Sequence, residues 1–192
     1  MGTQVKLDIG SPIIVPAATH WQIQNYEVAV NVRLARRFYP TLELGYAGGT
    51  MTRDSIAYAG KGGFFRVGCD LHPLKRHPEA PHALLVGVRL GTAFQGFAQD
   101  VDRTDTNKGI EHHNDWKMHS EGGRADCWGE IVVGCQVEIA KVNSTAFYMG
   151  WMGRFKCLFT RTKSTEAPTY IPGFGKRDNI GWGVNYYLGW RF

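Results

Sequence analysis

The side chains of this sequence that could do chemistry are concentrated in one polar stretch. Residues 111–115 read Glu-His-His-Asn-Asp, and His119, Ser120 and Glu121 follow closely. A hydrolase needs a nucleophile, a base and an orienting acid that converge in space. His119 and Ser120 are adjacent, so they point to opposite sides of an extended segment. We therefore expect a solvated polar loop and no catalytic residues.

Metal and cofactor signals are equally weak. Residues 112–115 hold two histidines and an aspartate, but without the fixed spacing of a zinc site. The stretch that begins at Asp100 has an aspartate, Asp105, where a twelve-residue calcium loop has its invariant sixth-position glycine. Residues 173–176, Gly-Phe-Gly-Lys, have neither the preceding strand nor the following helix of a phosphate-binding loop. We predict no metal and no cofactor.

The composition indicates a strand-rich chain. Glycine supplies 24 of 192 residues and aromatic residues 12%, without the Gly-X-Y period of collagen. No run of about 18 apolar residues is present, which excludes a transmembrane helix but leaves a membrane barrel open. The net charge is +5, and the basic residues are not clustered, so we expect no nucleic-acid partner. The cysteines lack metal-ligand spacing and are expected to be isolated apolar fillers.

Period-two alternation of apolar and polar residues recurs along the whole chain, whereas helical periodicity is nearly absent. Such alternation is typical of strands in a sheet with one apolar face. We predict eight strands, at residues 5–9, 26–34, 41–46, 65–71, 84–90, 130–139, 147–159 and 180–192.

The predicted connections differ in length in a regular way. Those after the second, fourth and sixth strands are short, at residues 35–40, 72–81 and 140–146. The others are longer and polar, at residues 11–25, 47–63, 92–127 and 160–179. This alternation is typical of bacterial outer-membrane barrels, which have short periplasmic turns and long extracellular loops. The sequence therefore predicts one all-β domain over residues 1–192, an eight-stranded antiparallel up-and-down transmembrane β-barrel.

The polar face of the predicted strands carries charges of both signs beside glycine. Long side chains next to glycines suit the narrow lumen of an eight-stranded barrel. Charges confined there need partners, because an unpaired buried charge is costly. We expect a lumen charge network of Glu27, Arg33, Glu43, Arg66, Arg89, Glu130, Glu138, Arg154 and Arg191. Such a network would block the lumen, so no stable conductance is expected.

The opposite face is apolar, and its aromatic residues collect near strand ends, as in the two interfacial girdles of a membrane barrel. We assign Phe38, Tyr39, Phe147, Trp190 and Phe192 to the short-turn side, and Tyr46, Phe94, Phe159 and Trp182 to the other. The end of the chain has an apolar residue at every second position. It resembles the C-terminal insertion signal of outer-membrane barrels, here Tyr186, Leu188, Trp190 and Phe192.

The last long connection carries a turn element, with Pro172 between two aromatic residues, Tyr170 and Phe174. Exposed aromatic side chains are good anchors for a protein partner. Two outcomes are open: the segment is a partner-contact loop, or it packs back over the mouth of the barrel.

Several segments resemble a family of small outer-membrane β-barrel proteins of the Bacteroidota that long carried an unknown-function label. The more specific segments are residues 170–176, Tyr-Ile-Pro-Gly-Phe-Gly-Lys, and residues 183–187, Gly-Val-Asn-Tyr-Tyr. Weaker matches are residues 42–46, 64–70 and 130–134. The resemblance runs from about residue 26 to the end; the family's slightly longer Ile-Pro-Phe-like ending is replaced here by Trp190-Arg191-Phe192.

This resemblance implies that the protein is an accessory barrel subunit of a larger outer-membrane complex. The complex that the resemblance implies is the barrel-assembly machinery of the Bacteroidota. The implied partners are outer-membrane lipids, other outer-membrane barrels and lipoproteins. The expected location is the outer membrane, with a signal peptide absent from this chain. The alternatives are an outer-membrane lipid-modifying enzyme and a small ligand-binding or adhesion barrel.

Overall fold

The computed structural model describes residues 2–10, 22–35, 37–53, 56–73, 82–103, 116–160 and 167–192. Eight long strands form one closed antiparallel barrel in which neighbours in sequence are neighbours in space. They are β1 (Thr3–Asp8), β2 (Gln22–Val32), β3 (Phe38–Arg53), β4 (Ile56–Leu71), β5 (His82–Arg103), β6 (Trp116–Val142), β7 (Thr145–Leu158) and β10 (Ile180–Arg191). A small hairpin, β8 (Tyr170–Ile171) and β9 (Gly175–Lys176), precedes the last strand.

The first and last strands close the barrel. Leu7 in β1 lies opposite Leu188 in β10, and Val5 lies opposite Trp190. The predicted eight-stranded antiparallel barrel is therefore confirmed. No helix among the described residues is long and apolar enough to cross a membrane.

The turn between β6 and β7 is shorter than predicted. It consists of Asn143 and Ser144, and Asn143 adopts a left-handed backbone conformation with φ of 55°. Asparagine tolerates that conformation well, which suits a tight hairpin. A bulge between Glu138 and Ala140 adjusts the register just before the turn.

The predicted long connections at 47–63 and 92–127 are wrong over most of their length, because β3 to β6 continue far into them. Gly48 pairs with Lys61, Lys61 with Gly96, and Gly96 with Gly123. These segments are rich in glycine and short of large apolar side chains, so they lack the alternation that reveals a strand. We call this four-stranded continuation the extension: residues 48–53, 56–61, 96–103 and 116–125.

Candidate functional site

Alternation along the strands directs six charged side chains from six different strands to the centre of the barrel. Each of them is at most 5% exposed. They are Glu27 in β2, Glu43 in β3, Arg66 in β4, Arg89 in β5, Glu130 in β6 and Arg154 in β7. Three cations and three anions make this central cluster neutral, which a confined, water-poor lumen requires.

Arg154 holds the cluster together. Its Nη2 lies 2.8 Å from Glu27 Oε1, and its Nη1 lies 2.9 Å from both Glu43 Oε2 and Glu130 Oε2. Its Nε donates to Asn185 Oδ1 at 2.7 Å. One guanidinium therefore contacts all three glutamates, and its fork of donors matches such an arrangement better than an ammonium would.

Glu43 is the anionic counterpart of Arg154. Besides Arg154 it pairs with Arg66, whose Nη1 lies 3.0 Å from Glu43 Oε2, and with Arg89, whose Nε lies 2.9 Å from Oε1. Arg66 also pairs with Glu27 at 2.8 Å and with Glu130 at 2.9 Å. The cluster therefore spans the whole cross-section of the lumen.

Further polar contacts surround this cluster. Arg89 Nη2 lies 2.6 Å from Asp70 Oδ1, and Lys6 Nζ lies 3.6 Å from Asp70 Oδ2. Asn185 Nδ2 donates to Asp8 Oδ2 at 2.6 Å. The inward positions of Lys6 and Asp70 follow from the same alternation that places the six central charges.

The remaining three residues of the predicted network lie away from the centre. Arg191 Nη2 and Glu138 Oε2 form a separate ion pair at 2.9 Å near the short-turn end, and both side chains are partly exposed. Arg33 follows the end of β2 and is half-buried. The structure therefore brings six of the nine predicted residues together.

The long-loop end of the lumen is closed by an inward-folded segment, residues 168–177, which we call the plug. Ile171 is fully buried and Phe174 is 2% exposed. They pack in one apolar cluster with Phe64 and Trp128, and the Phe174 and Trp128 rings meet edge to face, with centroids 5.9 Å apart. Apolar side chains thus seal the mouth above the charges.

Polar contacts fix the plug to the barrel wall. The carbonyl oxygen of Gly173 accepts hydrogen bonds from Arg66 Nη2 and Lys156 Nζ, each at 2.7 Å. At the rim, Thr169 Oγ1 donates to Gln99 Oε1 at 2.7 Å and Arg177 Nη2 donates to Asp126 Oδ1 at 2.6 Å. The plug is thus bonded directly to Arg66 of the central cluster.

These contacts decide between the two outcomes left open for this loop. Pro172 and Phe174 are buried, so the expectation that they are exposed partner anchors is wrong in this structure. Tyr170 is half-buried, and its carbonyl oxygen accepts a bond from Tyr58 OH at 3.3 Å. The segment packs back into the barrel mouth.

The plug requires glycine at its tip. Gly173 has φ of +74°, and a Cβ there would collide with the Phe64 ring; Gly175 has φ of +112° but open space around it. We expect Gly173→Ala to loosen the plug by about 2 kcal/mol and Gly175→Ala by about 1, because only the former adds a clash to the left-handed cost. Trypsin should then cleave after Lys176 and Arg177 faster in Gly173→Ala. Equal cleavage of the two variants would count against this description of the plug.

Large aromatic side chains also fill the lumen, a role that the sequence did not predict for any aromatic residue. A Cβ on Gly91 would collide with the Trp128 ring, one on Gly189 with Tyr148, and one on Gly150 with Tyr187. Trp128 Nε1 donates to Glu130 Oε1 at 2.6 Å. The usable sequence signal was glycine on neighbouring strands, which leaves room for a ring.

The outer wall of the barrel is apolar. Val88 is 54% exposed, Leu90 60% and Ile131 55%. Of the predicted girdle residues, Tyr46, Phe94, Phe159, Trp182 and Phe192 are also exposed. Tyr39 is a correction: its ring is buried and lies 4.3 Å, centroid to centroid, from the ring of His72.

The predicted insertion signal lies on this outer wall. Tyr186 and Phe192 are exposed, while Leu188 and Trp190 are half-buried. Trp190 meets Phe147 edge to face, with ring centroids 6.4 Å apart. Their role in recognition stays a prediction.

The polar stretch at residues 111–121 is described only from residue 116 onward. Residues 111–115 lie outside the described residues, and no metal-binding group of three or more ligands is found within the described ones. In the extension, His119 Nδ1 lies 2.6 Å from Asp100 Oδ1, with both side chains more than half exposed.

The His119 contact gives a pH-dependent prediction. The hydrogen bond to Asp100, and then its negative charge, raise the pKa of His119 above the ordinary value of 6.5. Because the protonated form is favoured, the ion pair is fully formed just below pH 6.5 and is lost as the pH rises through the raised pKa. We expect Asp100→Asn to return the pKa toward 6.5, measured by NMR titration of the ring. An unchanged titration would show that the contact does not form.

No curated protein matches the chain. Among solved structures it is similar to the N-terminal β-barrel domain of Pseudomonas aeruginosa OprF, with a TM-score of 0.46, 10% identity and coverage of 100% of this chain and 97% of that one. It is also similar to Acinetobacter baumannii CarO, with a TM-score of 0.40, 12% identity and coverage of 100% and 96%. The model of the domain of unknown function DUF6048 matches residues 1–191, and the chain belongs to that family.

Proposed function

We propose that this protein is a non-enzymatic integral outer-membrane β-barrel with a sealed lumen, acting as a structural or accessory subunit of a larger outer-membrane complex. The observation that carries the proposal is that the inner face of the barrel wall is charged whereas its outer face is apolar. Six paired charges lie inside, while large apolar side chains are exposed outside. Exposed apolar area costs roughly 25 cal/mol per Å² in water but nothing comparable in lipid, so a bilayer is the solvent that suits this wall.

Two barriers in series support a non-conducting role. The central cluster crosses the lumen, and the plug covers its long-loop end. An eight-stranded barrel has an interior that side chains can fill. Together these features leave no continuous aqueous path among the described residues and favour a scaffold over a pore.

The resemblance to the Bacteroidota barrel family supports the choice of complex. Under this proposal, the partners are the larger sixteen-stranded insertase of the barrel-assembly machinery and its lipoproteins. The extension also supports a role as a subunit of a complex, because β3 to β6 continue as an open sheet beyond the closed part of the barrel. A partner can reach that surface without entering the lipid.

Co-purification tests the proposal. The tagged chain, extracted from its native outer membrane in a mild detergent, is expected to retain a sixteen-stranded barrel and lipoproteins in fixed ratio through size-exclusion chromatography. An unrelated tagged outer-membrane barrel, processed in parallel, is the control. Elution of the chain alone, or with the same proteins as the control, would contradict the proposal.

A further inference from the structure

Among the described residues, β6 has no partner on one side where it extends beyond the end of β7. Pairing between β6 and β7 begins at Trp128 opposite Leu158, and Phe159 N still donates to Cys127 O at 2.9 Å. Between Trp116 and Asp126, β5 is the only strand that pairs with β6 in the described part of the chain. This segment of β6 is therefore a sheet edge.

The direction of its backbone groups follows from antiparallel geometry, in which successive residues direct their N–H and C=O to alternate sides. Cys127 directs both toward the β7 side, since Thr160 Oγ1 accepts from its N–H at 2.8 Å. His119, Glu121, Gly123 and Ala125 share that direction, and each is exposed. They form a row of backbone donors and acceptors along the open edge.

Natural proteins protect such edges with charged side chains, proline, bulges or very short strands. This segment carries two charged side chains, Glu121 and Arg124. Here residues 119–125 read His-Ser-Glu-Gly-Gly-Arg-Ala without proline, and the β5–β6 register is continuous along the whole extension. A hollow of about 880 Å³ adjoins the edge, lined among others by Lys61, Gly96 and Gly123. Within the described part of the chain, no atom lies within 4 Å of a Cβ built on Gly96 or Gly123, so a side chain of a partner can enter the hollow.

We infer that this edge of β6 accepts an extended strand of a partner polypeptide by β-strand addition. Backbone hydrogen bonds to residues 119–125 hold the incoming strand, and one of its apolar side chains enters the adjoining hollow. The inference rests on the proposed function, because it names how a subunit of the complex is bound. In this arrangement the partner lies at the long-loop end of the barrel.

A second copy of this chain does not fit the edge. Two barrels in one membrane are related by an axis along the membrane normal, and barrel strands tilt by about 35–45°. Two copies of the same edge would therefore cross at roughly 70–90° and could not form a ladder. A free segment from a different protein has no such constraint.

Amide hydrogen exchange tests the inference. In the purified barrel we expect fast exchange at Glu121, Gly123 and Ala125, and slow exchange at Gly122 and Arg124, which face β5. In the isolated complex, exchange at the three edge amides should slow by at least about a hundredfold, as for amides in a stable ladder. Protection of these amides in the purified barrel would show that the chain covers its own edge and would overturn the inference.

A matched pair of substitutions at Gly123 gives the second test. Gly123→Pro removes one outward N–H and no bond to β5, whereas Gly123→Ala keeps the N–H. We expect Gly123→Pro to reduce co-purified partner at least about tenfold and Gly123→Ala to retain it, with slow exchange at Arg124 showing an intact sheet in both. If partners co-purify but the edge amides stay fast, the proposed function stands and this docking mode fails. If no partner co-purifies, both fail.

Discussion

Replacing Arg154 with methionine is expected to lower the free energy of unfolding by about 3–5 kcal/mol, since it removes one member of a buried charge cluster. Three ion pairs disappear, to Glu27, Glu43 and Glu130, together with the hydrogen bond to Asn185. The carboxylates remain buried, and only Arg66 still contacts all three of them. Urea unfolding in lipid vesicles, followed by tryptophan fluorescence, measures the effect.

The control for this prediction is Arg191→Met. It also removes an arginine from an ion pair of 2.9 Å, but that pair is partly exposed at the short-turn end. Such pairs contribute less than about 1 kcal/mol. Equal losses in the two variants would show that the central cluster contributes no more than a surface ion pair.

A charge on the outer wall is expected to have the second-largest effect. Val88→Arg should lower stability in vesicles by about 2–4 kcal/mol, because a lipid-facing arginine near the bilayer midplane carries that cost. Val88 lies in the middle of the closed part of β5 and is 54% exposed. The same folding assay, with the fraction that inserts into vesicles as a second readout, provides the measurement.

Thr50→Arg serves as the matched control. Thr50 is exposed on β3 within the extension, outside the part that the membrane would cover. We expect this change to be nearly neutral, within about 0.5 kcal/mol. A neutral result for Val88→Arg as well would mean that the apolar wall does not face lipid.

Most of the barrel was predictable from the sequence, because the property that defines it is local. The strands in the closed part carry an apolar outer face and an inner face that holds the charged side chains, so period-two alternation reveals both the strand and its orientation. Glu43 and Arg66 could be assigned to the lumen from their own strands alone. That they contact each other follows from the register between β3 and β4.

The plug could not be predicted in the same way. Burial of Phe174 depends on Trp128 in β6 and Phe64 in β4, which are distant in sequence. The lengths of β5 and β6 were missed because the extension has no large apolar face to produce the alternation. The ring of Tyr39, at the start of β3, packs against His72, the residue that follows the paired strand β4, and His72 lies outside any predicted strand.

Spin-label accessibility along β5 in lipid bilayers tests most directly the claim that an apolar wall encloses a sealed, charged lumen. Labels at the outward positions Leu84, Val86, Val88 and Leu90 should be accessible to lipid-soluble oxygen and inaccessible to a water-soluble nickel chelate. Labels at the inward positions Ala83 and Leu85, whose side chains are buried, should be accessible to neither. Access of the nickel chelate to the outward labels would contradict membrane insertion, and its access to the inward ones would contradict the sealed lumen.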